Sequence, residues 1–243
     1  MIHSTLHDMT VQQIMTELKS HGSDSIKKLL VKHGVREPFF GVKIEYLKPI
    51  QKKIKKDYQL SKDLYATGNA DAMYLAGLIA DDEKMTAADL QTWVRQALSQ
   101  NISEYTVPWV AAGSPHGYQA ALAWIDSPEE HIAAAGWATL SNTLALRPDT
   151  ELDTKALRSL LDRVVKNIHQ AANRVRYTMN GFVISLGSYV PALTPDALAA
   201  AKKIGAVSIE MNGTACKVPD PATYIQKVKD KGALGKKKKT VKC

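Results

Sequence analysis

Between Leu152 and Ile168 the apolar residues fall at Leu152, Leu157, Leu160, Leu161, Val164, Val165 and Ile168. Steps of three and four mark one face of an α-helix. The same spacing recurs along nearly the whole chain, while the two-residue alternation of a half-buried strand is almost absent. Start signals accompany it. "TVQQ" at Thr10–Gln13 has the capping-box pattern, a hydroxyl for an orphan N–H and a Gln three residues on to reach back. "SPEE" at Ser127–Glu130 is the same device with Pro at the first helical position. "TAAD" at Thr86–Asp89 also opens a helix, and "TPDALAAAKKIG" runs from Thr194 to a glycine, Gly205, suited to a left-handed C-cap.

These signals predict helices near 10–20, 24–33, 43–58, 61–67, 70–80, 87–99, 104–112, 116–125, 128–146, 153–169, 172–188, 195–204 and 220–231. "AVSIEMNGTACKV" is the one hairpin-like stretch, with Asn212-Gly213 as its turn. The fold class is therefore all-α. A globular bundle and a solenoid of helix pairs both fit. The number of helices, with no long loop between them, favours the solenoid. "AAGSPHG" and "WIDSPEEHIAAAGW" each put Ser-Pro at a helix start, a faint sign of repetition. Residues 1–231 read as a single domain and 232–243 as a flexible lysine-rich tail.

A chain of 243 residues can bury a sizeable core without disulfides or metal. Its two cysteines, Cys216 and Cys243, make neither a disulfide framework nor a C-x-x-C metal motif. Cys216, in a short turn, reads as a packed small residue. The start, "MIHSTLHDMTVQQIM", lacks the basic and apolar regions of a secretory leader, and no apolar run is long enough to span a bilayer. A cytoplasmic protein without a membrane segment is expected. His116 has no Asp or Cys at ligand spacing, and "GKKKKTVKC" has no strand before it to make a phosphate loop. No metal and no cofactor are expected.

The charge is concentrated. Residues 227–243 hold eight lysines and one aspartate, +7 of the chain's net +8. Such a tail binds polyanions by counterion release, or it only keeps the chain soluble. A second basic feature sits inside the folded part. In "PFFGVKIEYLKPIQKKIKK", Ile44, Leu47, Ile50, Ile54 and Tyr58 gather on one side of a helix. Lys48, Lys52, Lys55 and Lys56 occupy a separate arc, either a solvated face or a surface that tracks phosphates. In "NRVRYTMNGF", Arg174 and Arg176 suit phosphate oxygens as forked donors, or pair with acids such as Asp162 or Glu210. Trp93, Trp109, Trp124 and Trp137 read as core anchors between stacked helices, with a groove lining by Trp109, Trp124 and Trp137 as the other reading.

"VREPFF" followed by "GVKIEYLKPIQKKIKK" resembles the N-terminal signature of the bacterial DNA alkylation-repair family. These are HEAT-like-repeat proteins whose founding members are alkylpurine DNA glycosylases. The resemblance continues through the Trp-rich middle, "RVRYTMNGFVISLGSYV" and "VSIEMNGTACKVPDPATYIQKV", so it covers most of residues 30–230. It implies a right-handed superhelix of HEAT-like antiparallel helix pairs. Its concave face would be basic and cradle double-stranded DNA, alkylated or otherwise damaged. Family enzymes remove N3- and N7-alkylpurines without metal or cofactor. The resemblance places Lys48, Lys52, Lys55, Lys56, Trp109, Arg174, Arg176, Tyr177, Asn180 and Phe182 on the DNA side. Lys236, Lys237, Lys238 and Lys239 would add salt-sensitive affinity, and binding would follow DNA structure rather than sequence.

The family's glycosylases carry a Trp-x-x-x-Asp element and a later Trp. An aromatic face attracts the cationic base or sugar, and a carboxylate stabilises the charge that develops as the glycosidic bond breaks. Here the element falls in "NISEYTVPWVAAG", with Glu104 at the Trp and Pro108 at the Asp. The later Trp aligns with Phe182 after Gly181, and the arginine some members carry on the helix between is absent from "HIAAAGW". Glu104, one turn before Pro108, is the candidate catalytic carboxylate. The other reading leaves it as an acid in a helix's first turn, favoured by the dipole. A competing function of another class is a HEAT-type scaffold whose concave face binds a protein. A basic stripe there speaks for DNA, an apolar patch with a polar rim for a protein.

Overall fold

A computed structural model describes residues 9–243; residues 1–8, the start of the segment read for a leader, lie outside the described residues. The described residues form thirteen α-helices and no strand. The helices are α1 (Val11–Ser20), α2 (Asp24–Lys32), α3 (Ile44–Ile54), α4 (Tyr58–Ala66), α5 (Ala70–Ile79), α6 (Ala87–Gln96) and α7 (Val107–Gly113). They continue with α8 (Gly117–Trp124), α9 (Glu130–Leu146), α10 (Thr154–Asn167), α11 (Asn173–Tyr189), α12 (Thr194–Ile204) and α13 (Pro221–Asp230). No single one is long and apolar enough to cross a membrane.

The helices lie in two layers. Helices α3, α5, α7, α9, α11 and α13 pack side by side in chain order, each against the next. The second layer pairs α6 with α8 and α10 with α12, and α4 backs α5 while α8 backs α9. This is the antiparallel-pair architecture of a solenoid. It explains the two apolarity patterns. All ten residues of α5 are buried because the helix has neighbours on every side, whereas α10 buries only Leu157, Leu160, Leu161 and Val164. The core has two large parts meeting near α8 and α9. Trp93 stacks on Tyr65 at 4.0 Å, Trp124 donates to Gln91 at 3.0 Å and Trp137 meets Phe182 edge-on at 5.3 Å. Trp93, Trp124 and Trp137 are core anchors.

The capping boxes at Thr10 and Thr86 form as expected, and Gly205 closes α12 at φ 66°. "SPEE" behaves differently: Ser127 accepts from the Glu129 amide at 3.1 Å, and α9 starts only at Glu130. The helix expected over 43–58 is split. Asp57 caps α4 by accepting from the Leu60 amide at 2.9 Å, so α3 stops at Ile54 and Lys55 turns at φ 66°.

The turn before α3 has a structural cause that the sequence did not announce. Asp71, buried at the start of α5, accepts from the amides of Phe40 at 2.6 Å, Gly41 at 3.0 Å and Val42 at 3.3 Å. Burial pushes its carboxyl up, against the pull of those donors and Lys27. Gly41 sits at φ 79°, and a Cβ there would lie 2.6 Å from the Ser23 carbonyl oxygen. The "PFFGV" turn is thus a clamp that sets the direction of the lysine helix. Asp71→Ala should orphan the amides and cost about 3 kcal/mol, read as a shift in the urea midpoint with unchanged slope.

The hairpin expected over "AVSIEMNGTACKV" does not form. Its turn exists, with Asn212 at φ 54°, Gly213 at φ 67° and the Thr214 amide on the Met211 oxygen at 3.0 Å. Its flanks are held by α11 instead of by each other. Asn173 exchanges two bonds with the Glu210 backbone at 2.7 and 2.8 Å, Arg176 donates to the Ser208 oxygen at 2.9 Å and Asn180 to the Pro219 oxygen at 2.9 Å. Backbone groups of Ser208, Glu210 and Pro219 are thereby taken by side chains of α11.

The lysine-rich tail also has a defined course, in place of the free one expected. Lys237 Nζ donates to the oxygens of Leu144 at 3.0 Å and Tyr189 at 2.7 Å, at the ends of α9 and α11, and pairs with Asp149 at 2.8 Å. Lys242 Nζ donates to the Ala80 oxygen just past α5 at 2.9 Å and pairs with Asp82 at 2.6 Å. Two lysines thereby cap three helix C-termini, where carbonyls lack partners and a cation is favoured. Burial pushes the Asp82 carboxyl up to about 6 and the Lys242 ammonium down. Lys237→Ala should loosen this strap and speed tryptic cleavage at the tail lysines about tenfold, the worth of one or two lost bonds.

Candidate nucleic-acid interface

Ahead of α7 the chain winds as a π-helical turn, Ile102–Thr106, closed by the Val107 amide on the Ile102 oxygen. The cause lies two residues on. Pro108 has no N–H, so the oxygen of Glu104 loses its usual partner and the ladder shifts to five-residue spacing. The wide turn places Glu104, Tyr105 and Trp109 on the inner layer. Pro108 itself is buried in the helix.

Glu104 is buried too, and it is not free. Arg174 grips it with two bonds, Nε to Oε1 at 2.6 Å and Nη2 to Oε2 at 2.7 Å. The two side chains are 2% and 12% exposed. The Arg174 guanidinium also lies over the Tyr177 ring at 4.4 Å. Burial pushes the Glu104 carboxyl up, partly offset by Arg174, and the same carboxylate holds Arg174 firmly charged. The pair occupies the back of a cavity of about 160 Å³ edged by Lys32, His33, Tyr105, Met211 and Cys216. Cys216 is exposed there, not packed as expected.

Beyond Tyr177 the groove continues over Trp109, Ala138, Ser141, Asn142, Gly181 and Ser185. Trp109 is nearly buried, with Tyr74 edge-on at 5.3 Å and Tyr105 tilted at 6.2 Å. Tyr105 is 44% exposed, and burial of its phenol beside Tyr177 and Glu104 pushes its pKa up. The groove then runs between α9, α11 and α13 to Lys236 and Lys238. At the far end of the tail, Lys48 Nζ donates to the Cys243 main-chain oxygen. Lys48, Lys52 and Lys55 surround one hollow with Gln51. Lys56 stands apart, 3.7 Å from Asp81.

The predicted contact residues therefore separate into two sets. Lys48, Lys52, Lys55, Tyr177, Lys236, Lys238 and Lys239 are accessible, and Trp109 lines the groove. Phe182 is fully buried against Trp137, and buried Asn180 holds the Pro219 backbone. Arg176 spends its guanidinium on the oxygens of Ala171 and Ser208, neither of them the acids expected as its partners. Lys237 is spent on helix ends. Expected as DNA contacts, these four are structural because each has a nearer partner. Tyr105, Ser141, Asn142 and Ser185 escaped the sequence reading. Their signal was small polar residues interrupting the apolar runs of α9 and α11, and an aromatic four residues before Trp109. Among the described residues no cluster of three or more His, Cys, Asp or Glu could hold a metal.

Comparison with known proteins fits this geometry. Two uncharacterized proteins, of Listeria innocua and Listeria monocytogenes, are each 30% identical over 229 residues, covering 92% of this chain and 99% of each relative. A solved structure described as "A new family of proteins related to the HEAT-like repeat DNA glycosylases with affinity for branched DNA structures" superposes with a TM-score of 0.88. It is 34% identical, covering 97% of this chain and 100% of that one. The model of the family described as "DNA alkylation repair enzyme" matches residues 14–215. With that match across most of its length, the chain belongs to the DNA alkylation repair enzyme family, on a HEAT-like-repeat fold.

Proposed function

We propose that this protein binds DNA along its inner face, prefers branched or otherwise distorted duplexes, and does not cleave glycosidic bonds. The observation that carries the second half is the Glu104–Arg174 pair. Glu104 is the one acidic side chain lining the groove among the described residues, and a bidentate arginine neutralises it. A carboxylate that stabilises an oxocarbenium ion must face it with its charge unspent. Pro108 has none to give.

The binding half is supported by accessible lysines, Lys236 and Lys238 at one end of the groove with Lys239 beside them, and Lys48, Lys52 and Lys55 around a separate hollow at α3. It is supported as well by the affinity for branched DNA stated for the similar structure. A scaffold for a protein partner would present a continuous apolar patch with a polar rim; here tyrosines, small polar groups and cations interrupt the apolar wall along its length. A cytoplasmic setting accords with two unpaired, exposed cysteines.

Two measurements test the reading. In fluorescence anisotropy a four-way junction should bind at least about tenfold tighter than a linear duplex of the same length, a difference of about 1.4 kcal/mol. A duplex carrying 7-methylguanine should yield no free base with protein in excess. Base release would overturn the non-catalytic assignment and make Glu104→Gln the next variant. Equal affinity for duplex and junction would remove the structural preference.

A further inference from the structure

Cation, aromatic ring and unsatisfied hydroxyl come together at one place away from Glu104. The end of the groove between α9, α11, α13 and the tail widens into a hollow of about 420 Å³. Tyr189 and Tyr224 stand on its walls, and Tyr224 is 49% exposed although it sits beside buried Ile225. Lys236 and Lys238 rim it, with Lys238 Nζ 5.9 Å from the Tyr189 ring centre. The tail that carries them is pinned by Lys237 and by the Gly235 and Lys238 amides, on the oxygens of Ser188 at 2.9 Å and Ala145 at 2.7 Å. The cations are therefore held in place. Ser188 lines the same hollow, is buried, and its Oγ has no partner. A buried hydroxyl without a protein partner leaves a donor and an acceptor open to a ligand.

We propose that this hollow is a second nucleic-acid site that takes an unpaired single strand. The volume lies within the range of small-ligand pockets, about 300–1,000 Å³, and far below what a duplex needs. Stacking on Tyr224 requires a base with a free face, which a base inside a duplex lacks. Lys236 and Lys238 meet the phosphates between stacked bases, and Ser188 hydrogen-bonds a phosphate or base oxygen. Aromatic platforms beside a cationic track are the recurrent design of single-strand sites, with stacking worth about 1–3 kcal/mol per base. The hollow shares Ser141, Asn142 and Ser185 with the central groove, so a strand leaving a branch point in that groove would enter it directly. The placement at a branch rests on the proposed binding of branched DNA; the single-strand site does not.

The test uses the full chain and a fluorescein-labelled oligothymidylate of about five nucleotides, within the span of one single-strand site. Wild-type protein should bind it. Tyr224→Ala, and separately Lys236→Ala with Lys238→Ala, should each weaken binding about tenfold or more, the loss of one stacked base or two phosphate contacts. All these side chains are exposed, and an unchanged Tm shows that the fold is intact. Ser188→Ala should weaken binding severalfold without lowering Tm, because its hydroxyl bonds no other group of the protein. Lys202→Ala with Lys203→Ala, exposed in the last turn of α12, should leave oligothymidylate binding unchanged. No binding by wild type, or equal binding by Tyr224→Ala, overturns the proposal whatever the protein does with duplex. Oligothymidylate binding without any junction preference would keep this site and sink only the branched-DNA reading.

Discussion

Arg174→Met should destabilise the protein by about 3–5 kcal/mol, because it leaves Glu104 as an unpaired buried charge. At this chain length that is a fall in Tm of about 10 °C. Glu104→Met in the same background should recover most of the loss. An apolar pair of similar volume needs no compensation for desolvation, whereas one stranded carboxylate does. The cycle of four proteins, unfolded in urea, isolates the coupling between the two side chains. The same proteins decide what Arg174 is for. If it is a structural partner, the double variant binds DNA with the wild-type salt dependence. If it is a phosphate hook, every variant lacking it shows a shallower dependence. A loss below about 1 kcal/mol for Arg174→Met, the range of exposed pairs, would show that the pair is open to solvent and Glu104 free to act.

Removing Lys48, Lys52 and Lys55 together should have the largest effect on binding. Each neutralised phosphate contributes about 0.9 to the slope of log affinity against log salt, so the triple alanine variant should lose about 2.7 from that slope. Affinity at low salt should fall by orders of magnitude, while sequence preference stays as it was, since phosphates carry no base information. Stability should change little, because the three side chains are exposed and Leu47 and Ile50 keep α3 anchored. Lys56→Ala is the internal control: it points to Asp81 and lies outside the hollow, so its slope should stay near that of wild type. An unchanged slope in the triple variant would remove α3 from the interface and leave the tail as the basic surface.

The physics of each residue explains what could be read in advance. Helix existence was legible because it depends on spacing and caps, which are local: Thr10 and Thr86 cap as their neighbours dictate. Helix ends were less so. Asp57 terminates the run of lysines by starting the next helix, and "SPEE" gives way to a turn that accepts the Glu129 amide. On α3, Lys48 and Lys52 were legible because one helical turn brings them together, whereas Lys55 joins them through the turn that ends the helix. The partners of the arginines and of Asn180 were not legible, for the opposite reason. A guanidinium or amide takes the acceptors the fold brings to it, and for Arg176 and Asn180 these include backbone oxygens 32 and 39 residues away.

By itself, then, the sequence determined an all-helical chain, apolar stripes along its helices and a basic helix. Those follow from periods of three and four and from propensities. Tertiary structure alone decided that Glu104 is paired with an arginine 70 residues on, and that the lysine tail is a strap. It also decided that Asp71 clamps the turn bearing the lysine helix. The reason is common to all three: a buried charge must find its partner wherever the fold brings one, and sequence spacing says nothing about that meeting.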